Sequence, residues 1–153
     1  MSTQAKAVPV KAIPEGYHSV TPYLVVQGAG KLIDFMKAAF GAREMFRMPQ
    51  PDGKIGHAEM RIGNSMVMLA DAQGPWKAMP TTLQLYVEDV DAVYARAIAA
   101  GGTSLSEPTD QFYGDRRGGV QDICGNSWWV ATHIEDVSMD EMQRRQEAAA
   151  GGH

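Results

Sequence analysis

The sequence predicts an α+β fold made from two copies of one β-α-β-β-β module, on three observations. The tripeptide Gly63-Asn64-Ser65 returns 62 residues later as Gly125-Asn126-Ser127, in the similar flanks IGNSMVMLA and CGNSWWVAT. Upstream, TPYLVVQGAGKLIDFMKAAFGA aligns with TLQLYVEDVDAVYARAIAAGGT at a shift of 61, matching Thr21 to Thr82, Leu24 to Leu85, Val26 to Val87 and Leu32 to Val93. Self-similarity at a fixed offset is the mark of a repeated structural unit. Within each copy the hydrophobic period changes from strand-like to helical and back.

The elements follow in order. Residues 1–15 read as an extended arm and 16–137 as a single domain, with module one over 19–71, a linker over 72–80 and module two over 80–136. The linker contains DAQGPWKAMP, rich in turn-forming residues. Each module opens with a strand, about 20–26 and 82–87. A helix follows, about 29–40 and 90–100, with Leu32, Ile33, Phe35, Met36, Ala39 and Phe40, or Val90, Val93, Tyr94, Ala97 and Ile98, at helical spacing. Asp89 is placed to cap the second helix, and Gly41 and Gly101 stand where a helix end favours positive φ. Two or three strands close each module, with one near 43–48 the least defined. Beyond 138 a short helix, about 139–149, starts at Ser138 with Glu141 three residues on, and a frayed tail ends the chain.

Length and composition narrow the function classes. A chain of 153 residues buries roughly 68–70% of its unfolded surface, enough for a core without staples. Cys124 is the single cysteine, which excludes an internal disulfide or a cysteine-rich zinc site and makes a cytoplasmic location the expectation. No apolar run reaches the ~18 residues of a membrane span, and the N-terminus lacks a leader-like apolar stretch. A net charge of −4 argues against nucleic acid as a partner.

Strand alternation then sorts side chains onto faces. In HAEMRI, Ala58, Met60 and Ile62 are apolar while His57, Glu59 and Arg61 are polar; in TLQLYV, Leu83, Leu85 and Val87 oppose Thr82, Gln84 and Tyr86. The apolar faces need helices over them. The other faces mix polar and aromatic groups, which suits a curved sheet with helices on its convex side and a concave small-molecule pocket. Candidate ligand contacts are Tyr23, Gln84, Tyr86 and Trp129, with Trp128 on the helix side. The stretch QFYGDRRGG adds Phe112, Tyr113, Asp115 and Arg116 as a lid, against the alternative of a plain turn in which Asp115 pairs with an arginine. His57 and Glu59, two apart on one strand, read first as a polar pair lining the pocket and second as the candidate acid–base pair. Cys124 has no neighbour that would activate it.

The strings TPYLVV…IDFMKAAFGA, GKIGHAEMRIGNSMVMLAD, LYVEDVDAV and QFYGDRRGGVQDICGNSWWVATHIEDVS resemble the vicinal-oxygen-chelate superfamily, which includes glyoxalase I, bleomycin-resistance proteins and extradiol dioxygenases, and within it the PhnB-like branch. That resemblance implies paired βαβββ modules, in one chain or across two, and a homodimer. It also implies metal ligands on the first and last strands of each module. Those positions match Thr21, Val67, Thr82 and Trp129 here, none a good ligand, and His18 has the wrong parity to replace Thr21. The leading expectation is a metal-independent small-molecule binder without cofactor. The alternatives are an acid–base lyase or isomerase acting through Glu59 or His57 on a carbonyl or epoxide substrate, a metal enzyme with non-standard ligands, and a regulatory protein with a filled pocket.

Overall fold

The structure is a computed structural model and describes residues 8–151. The first seven residues of the expected arm and the last two of the tail lie outside this range. The elements run β1 (Tyr23–Val26), α1 (Ala29–Phe40), β2 (Arg43–Pro49), β3 (Ile55–Ile62), β4 (Ser65–Asp71), β5 (Thr82–Tyr86), α2 (Val90–Ala99), β6 (Thr103–Asp110), β7 (Asp115–Gln121), β8 (Ser127–His133) and α3 (Met139–Gly151). The two-module α+β architecture is therefore present, including the strand near 43–48.

Each module forms its own four-stranded sheet, in the orders β1-β4-β3-β2 and β5-β8-β7-β6. β1 runs parallel to β4 and β5 parallel to β8, while the remaining pairs are antiparallel. The helix carries the chain over to the far edge of the sheet, and two antiparallel steps, β2–β3–β4 or β6–β7–β8, bring it back parallel to the first strand; such a parallel pair needs a long crossover rather than a hairpin. Both helices are fixed from the far end of their sheet. The carboxylate of Asp71, at the end of β4, accepts from the backbone N–H of Gly28 and Ala29 at 2.9 Å each and of Ile55 at 2.7 Å. Burial works to raise the pKa of Asp71, but these three donors outweigh it and hold the group below its ordinary value. In module two the cap is Asp89, accepting from the Ala92 N–H at 3.1 Å, with Thr132 accepting from the Val90 N–H at 2.9 Å. α1 ends on Gly41 in the left-handed region, φ 66°.

The modules are joined through their helices. α1 packs on α2, and the helix-facing sides of both sheets contribute to one core that includes Leu24, Leu32, Met36, Met60, Leu69, Val120 and Trp128. The Trp128 indole, fully buried, lies 4.6 Å from the Phe40 ring between centroids. Its Nε1–H donates to Asp122 at 2.8 Å. Asp122 is itself buried and accepts from the Cys124 N–H and from the N–H and side-chain amide of Asn126. Asn126 in turn accepts from the Thr81 N–H at 2.9 Å, tying the end of the linker to the β7–β8 turn. The repeated tripeptide thus has two environments: Asn126 is buried and Asn64 exposed.

α3 buries no residue and is held by Arg145, which pairs with Glu135 and donates to the Phe112 carbonyl at 3.2 Å. Replacing Asp122 with Ala leaves buried donors on Trp128 and Asn126 without acceptors, and each such group costs about 1–3 kcal/mol. The expected result in urea denaturation is a loss of about 3 kcal/mol, whereas Asn64→Ala stays within about 0.5 kcal/mol of wild type.

Candidate functional site

With one face of each sheet committed to the helices, the register decides what the other face carries. On the first sheet Tyr23 lies beside Met68 and Met68 beside Glu59, while His57 shares their face two residues from Glu59. Hydrogen bonds link them into a chain. The Tyr23 hydroxyl meets His57 Nδ1 at 3.0 Å, and His57 Nε2 meets Glu59 Oε2 at 3.0 Å. The other Glu59 oxygen accepts from the hydroxyl of Tyr17, in the irregular segment just before β1. Because Glu59 accepts at Oε2, His57 carries its proton on Nε2 and offers Nδ1 as acceptor for Tyr23.

The electrostatics follow from these bonds. The Tyr17 hydrogen bond does most to lower the pKa of Glu59, burial opposes it, and His57 adds to the lowering. Burial and then Glu59 push Tyr17 up to about 12. Tyr23 is raised by burial and by the Glu59 charge. Glu59 is thus an ionised carboxylate with both oxygens engaged, better placed to orient His57 than to take a proton itself.

Beside this chain lies a cavity of about 270 Å³ lined by Tyr23, Val25, Gln50, Gly56, Ala70, Asp71, Gln73 and Trp76. The Trp76 and Tyr23 rings stand 5.9 Å apart and tilted, and Gln73 donates to Gln50 across the rim. Phe46 and Tyr23 flank the His57 ring at 6.1 and 5.6 Å.

On the second sheet Gln84, Trp129 and Gly119 are register partners, as are Tyr86, Ala131 and Arg117. Trp129 lies against Gly119, where a Cβ would fall 2.4 Å from the indole. The Tyr86 hydroxyl donates to Asp115 at 2.7 Å, and His133 Nδ1 meets the other Asp115 oxygen at 2.8 Å. The Asp115 bond is the main reason the Tyr86 pKa is raised. His133 also pairs with Asp136 at 2.7 Å, and Asp136 ahead of Asp115 raises its pKa.

The residues expected to line one concavity therefore divide between two faces: Tyr23, His57 and Glu59 on the first sheet, Gln84, Tyr86 and Trp129 on the second. Where the modules meet, a cavity of about 150 Å³ is bordered by His18, Thr21, Met66, Leu83, Gln84 and Trp128, so Gln84 alone of those candidates borders it. Arg116 is a correction. Its strand parity turns it to the helix side, where it pairs with Asp91 and Asp110. The lid is a second correction. Phe112 and Tyr113 pack edge to face at 5.3 Å in a hydrogen-bonded turn. That turn is pinned where Gly114, at φ 104°, passes so close to the Glu135 carbonyl that a Cβ would fall 2.1 Å from it. Asp115, 3% exposed, pairs with Tyr86 and His133 rather than with an arginine.

Val67 is a third correction. It pairs with Met60 on the core face, and Met68 takes the open-face position that Trp129 has in module two. The cause is turn length: Ile62 pairs with Ser65 across two residues, whereas Gln121 pairs with Ser127 across five. Aligning the repeat on Gly-Asn-Ser therefore shifts one copy by a residue and exchanges its faces. Thr21, Met68, Thr82 and Trp129 offer hydroxyl, thioether and indole groups, a donor set that does not fit a divalent cation. Among the described residues no three His, Cys, Asp or Glu side chains gather as a metal-ligand set. Cys124 is raised to about 11, first by burial and then by Asp122 and Asp71.

Sequence reading missed three residues here. Tyr17 comes from the irregular segment before β1 and Trp76 from the linker, where no periodicity assigns a face. Arg117 was legible, because it shares parity with Asp115.

Comparison with known proteins agrees with this architecture. An uncharacterized protein of Mycobacterium bovis is 39% identical over 145 residues, covering 88% of this chain and 95% of its own. The crystal structure of TioX from Micromonospora sp. ML1 is similar with a TM-score of 0.66 and 26% identity, covering 74% of this chain and 97% of that one. Two more distant structures share the fold. A PhnB protein from Bacillus cereus has a TM-score of 0.61 at 18% identity, covering 75% of this chain and 99% of its own. The fosfomycin resistance protein FosX from Listeria monocytogenes, in complex with Mn(II) and sulfate, has a TM-score of 0.59 at 15% identity, covering 84% and 97%. Residues 16–130 match the sequence model of one family, and the chain belongs to it: the Glyoxalase/Bleomycin resistance protein/Dioxygenase superfamily.

Proposed function

We propose that this protein binds a small aromatic molecule on the open face of its first sheet, without a metal. The cavity of about 270 Å³ between Tyr23 and Trp76 carries this reading. It is close to the lower end of ligand-pocket volumes, with apolar floor residues and a few fixed polar groups. The donor set at the family's ligand positions supports metal independence, in contrast to FosX, whose structure holds Mn(II).

A homodimer completes the site in this reading. Phe46, Met48, Trp76 and Tyr23 are all exposed around the cavity, a contiguous apolar patch of the kind that marks an interaction surface. The open face of the second sheet, with Tyr86 and Trp129, is the matching wall from a second copy, and a two-fold axis uses the contact twice.

The Tyr23–His57–Glu59 chain favours a second reading, acid–base catalysis with His57 as the proton carrier and Glu59 as the group that orients it. The location expected from the single cysteine is the cytoplasm; no helix among the described residues is long and apolar enough to cross a membrane.

Titration with aromatic small molecules is expected to change Trp fluorescence saturably and to return the ligand unaltered. A Trp76→Ala variant is expected to weaken the response at least tenfold. Chemical conversion of the ligand, read by mass spectrometry, replaces the binder with the second reading. Light scattering is expected to give twice the mass of one chain, and Phe46→Glu to halve it; a monomeric wild type removes the dimer.

In ¹⁵N spectra of the imidazole, His57 is expected to carry a proton on Nε2, the nitrogen facing Glu59, and Glu59→Gln is expected to weaken that preference. The folded-state pKa of Glu59 is depressed. The stabilisation from its ionised form is complete above the ordinary carboxylate value and is lost as pH falls through the lowered one. The Tyr17–Glu59 hydrogen bond should therefore persist on acidification to about pH 4.3, the ordinary glutamate value, and fail below it.

A further inference from the structure

On the open face of the second sheet one arginine side chain has no ion-pair partner among the described residues. Arg117 stands on β7 between Ala131 of β8 and Thr109 of β6. Its guanidinium carbon lies 4.1 Å from the centroid of the Trp129 ring. Its Nε is closed off from solvent and has no hydrogen-bond partner among the described residues. The nearby acids are committed elsewhere. Asp115, two residues back on the same face, accepts from Tyr86 and His133. Asp91 and Asp110 hold Arg116 on the opposite face. The Glu59 oxygens each already accept one hydrogen bond, from Tyr17 and from His57.

Stacking on an indole compensates only part of the hydration that a half-buried guanidinium loses. The stacking also fixes the plane of the fork, which suits bidentate recognition of a planar oxyanion. It further means that a ligand arriving at this face meets the guanidinium as well as the indole.

We infer that Arg117, stacked on Trp129, is an anion-recognition residue that takes the carboxylate of a flat conjugated ligand. This rests on the small-molecule reading above and adds the charge of the ligand to it. Nothing in the composition points this way, since the chain as a whole is acidic.

The test uses the full-length protein labelled with ¹⁵N, with benzoate as probe and benzamide as its neutral counterpart. The signals followed are the Arg117 Nε–H and the indole N–H of Trp129, Trp128 and Trp76. Benzoate is expected to move the Arg117 and Trp129 signals saturably, with benzamide at least tenfold weaker. Arg117→Met keeps an apolar stem over Trp129 and is expected to weaken benzoate at least tenfold. Arg117→Lys keeps the charge without the fork and is expected to fall between. An unmoved Trp128 signal in each variant shows that the core is intact. Equal responses to benzoate and benzamide, unchanged benzoate binding in Arg117→Met, or no movement of the Arg117 signal at millimolar benzoate each overturn the inference. The small-molecule reading is judged separately, by whether the Trp76 indole responds to neutral aromatic ligands.

Discussion

The packing of α1 on α2 around Trp128 is the contact on which the rest of the molecule depends. Each βαβββ module covers one face of its sheet with a single helix, which leaves that helix with a second flank to bury. The two modules satisfy that need with each other, and Phe40 of the first meets Trp128 of the second in the shared core. Joining through helices has a geometric result. The apolar faces are used up in the union, and the open faces of both sheets remain outside it. The hydrogen bonds of Asp122 and Asn126 secure the Trp128 side of this joint, where a tryptophan N–H would otherwise be buried without an acceptor.

Much of the fold was legible because it rests on short-range rules. Helices appear where apolar residues recur at helical spacing, and Asp89 and Ser138 act as the caps that their positions suggest. Strand parity correctly sent Trp128 inward and Trp129 outward. It failed at Val67, because the repeat was aligned through a motif that sits in turns of different length. Parity is a local rule, and it carries across a turn only when the number of residues in the turn is known. Arg116 and Arg117 show the same lesson at one-residue resolution: adjacent arginines on a strand face opposite environments, and the one that looked like a lid residue is held by α2. Tyr17 and Trp76 were beyond reach for another reason. Their positions are set by tertiary contacts of irregular segments, and no periodicity records those.

The open faces differ in chemical completeness. On the first sheet Tyr17, Tyr23, His57 and Glu59 satisfy one another, so the face is polar yet internally closed, with its apolar rim at Phe46 and Trp76. On the second, Asp115, Tyr86 and His133 form a similar closed group, but Arg117 is left with a donor that has no acceptor among the described residues. A duplicated module has thus acquired two surfaces of unlike character on the same backbone frame. Fold and family membership set that frame; the distribution of satisfied and unsatisfied groups over it bears on what the protein recognises.

The position of Trp128 along the chain has a consequence for synthesis. A nascent chain emerges N-terminus first, and the sheet of module one is complete in sequence once Asp71 has been made. The flank of α1 that ends in Phe40 then waits, exposed, through the linker and most of module two. Trp128 belongs to the final strand, so no arrangement of the earlier residues can supply the ring that covers it. The first module reaches its native surroundings only when β8 has left the ribosome, which gives β8 control over when the Phe40 end of α1 becomes protected.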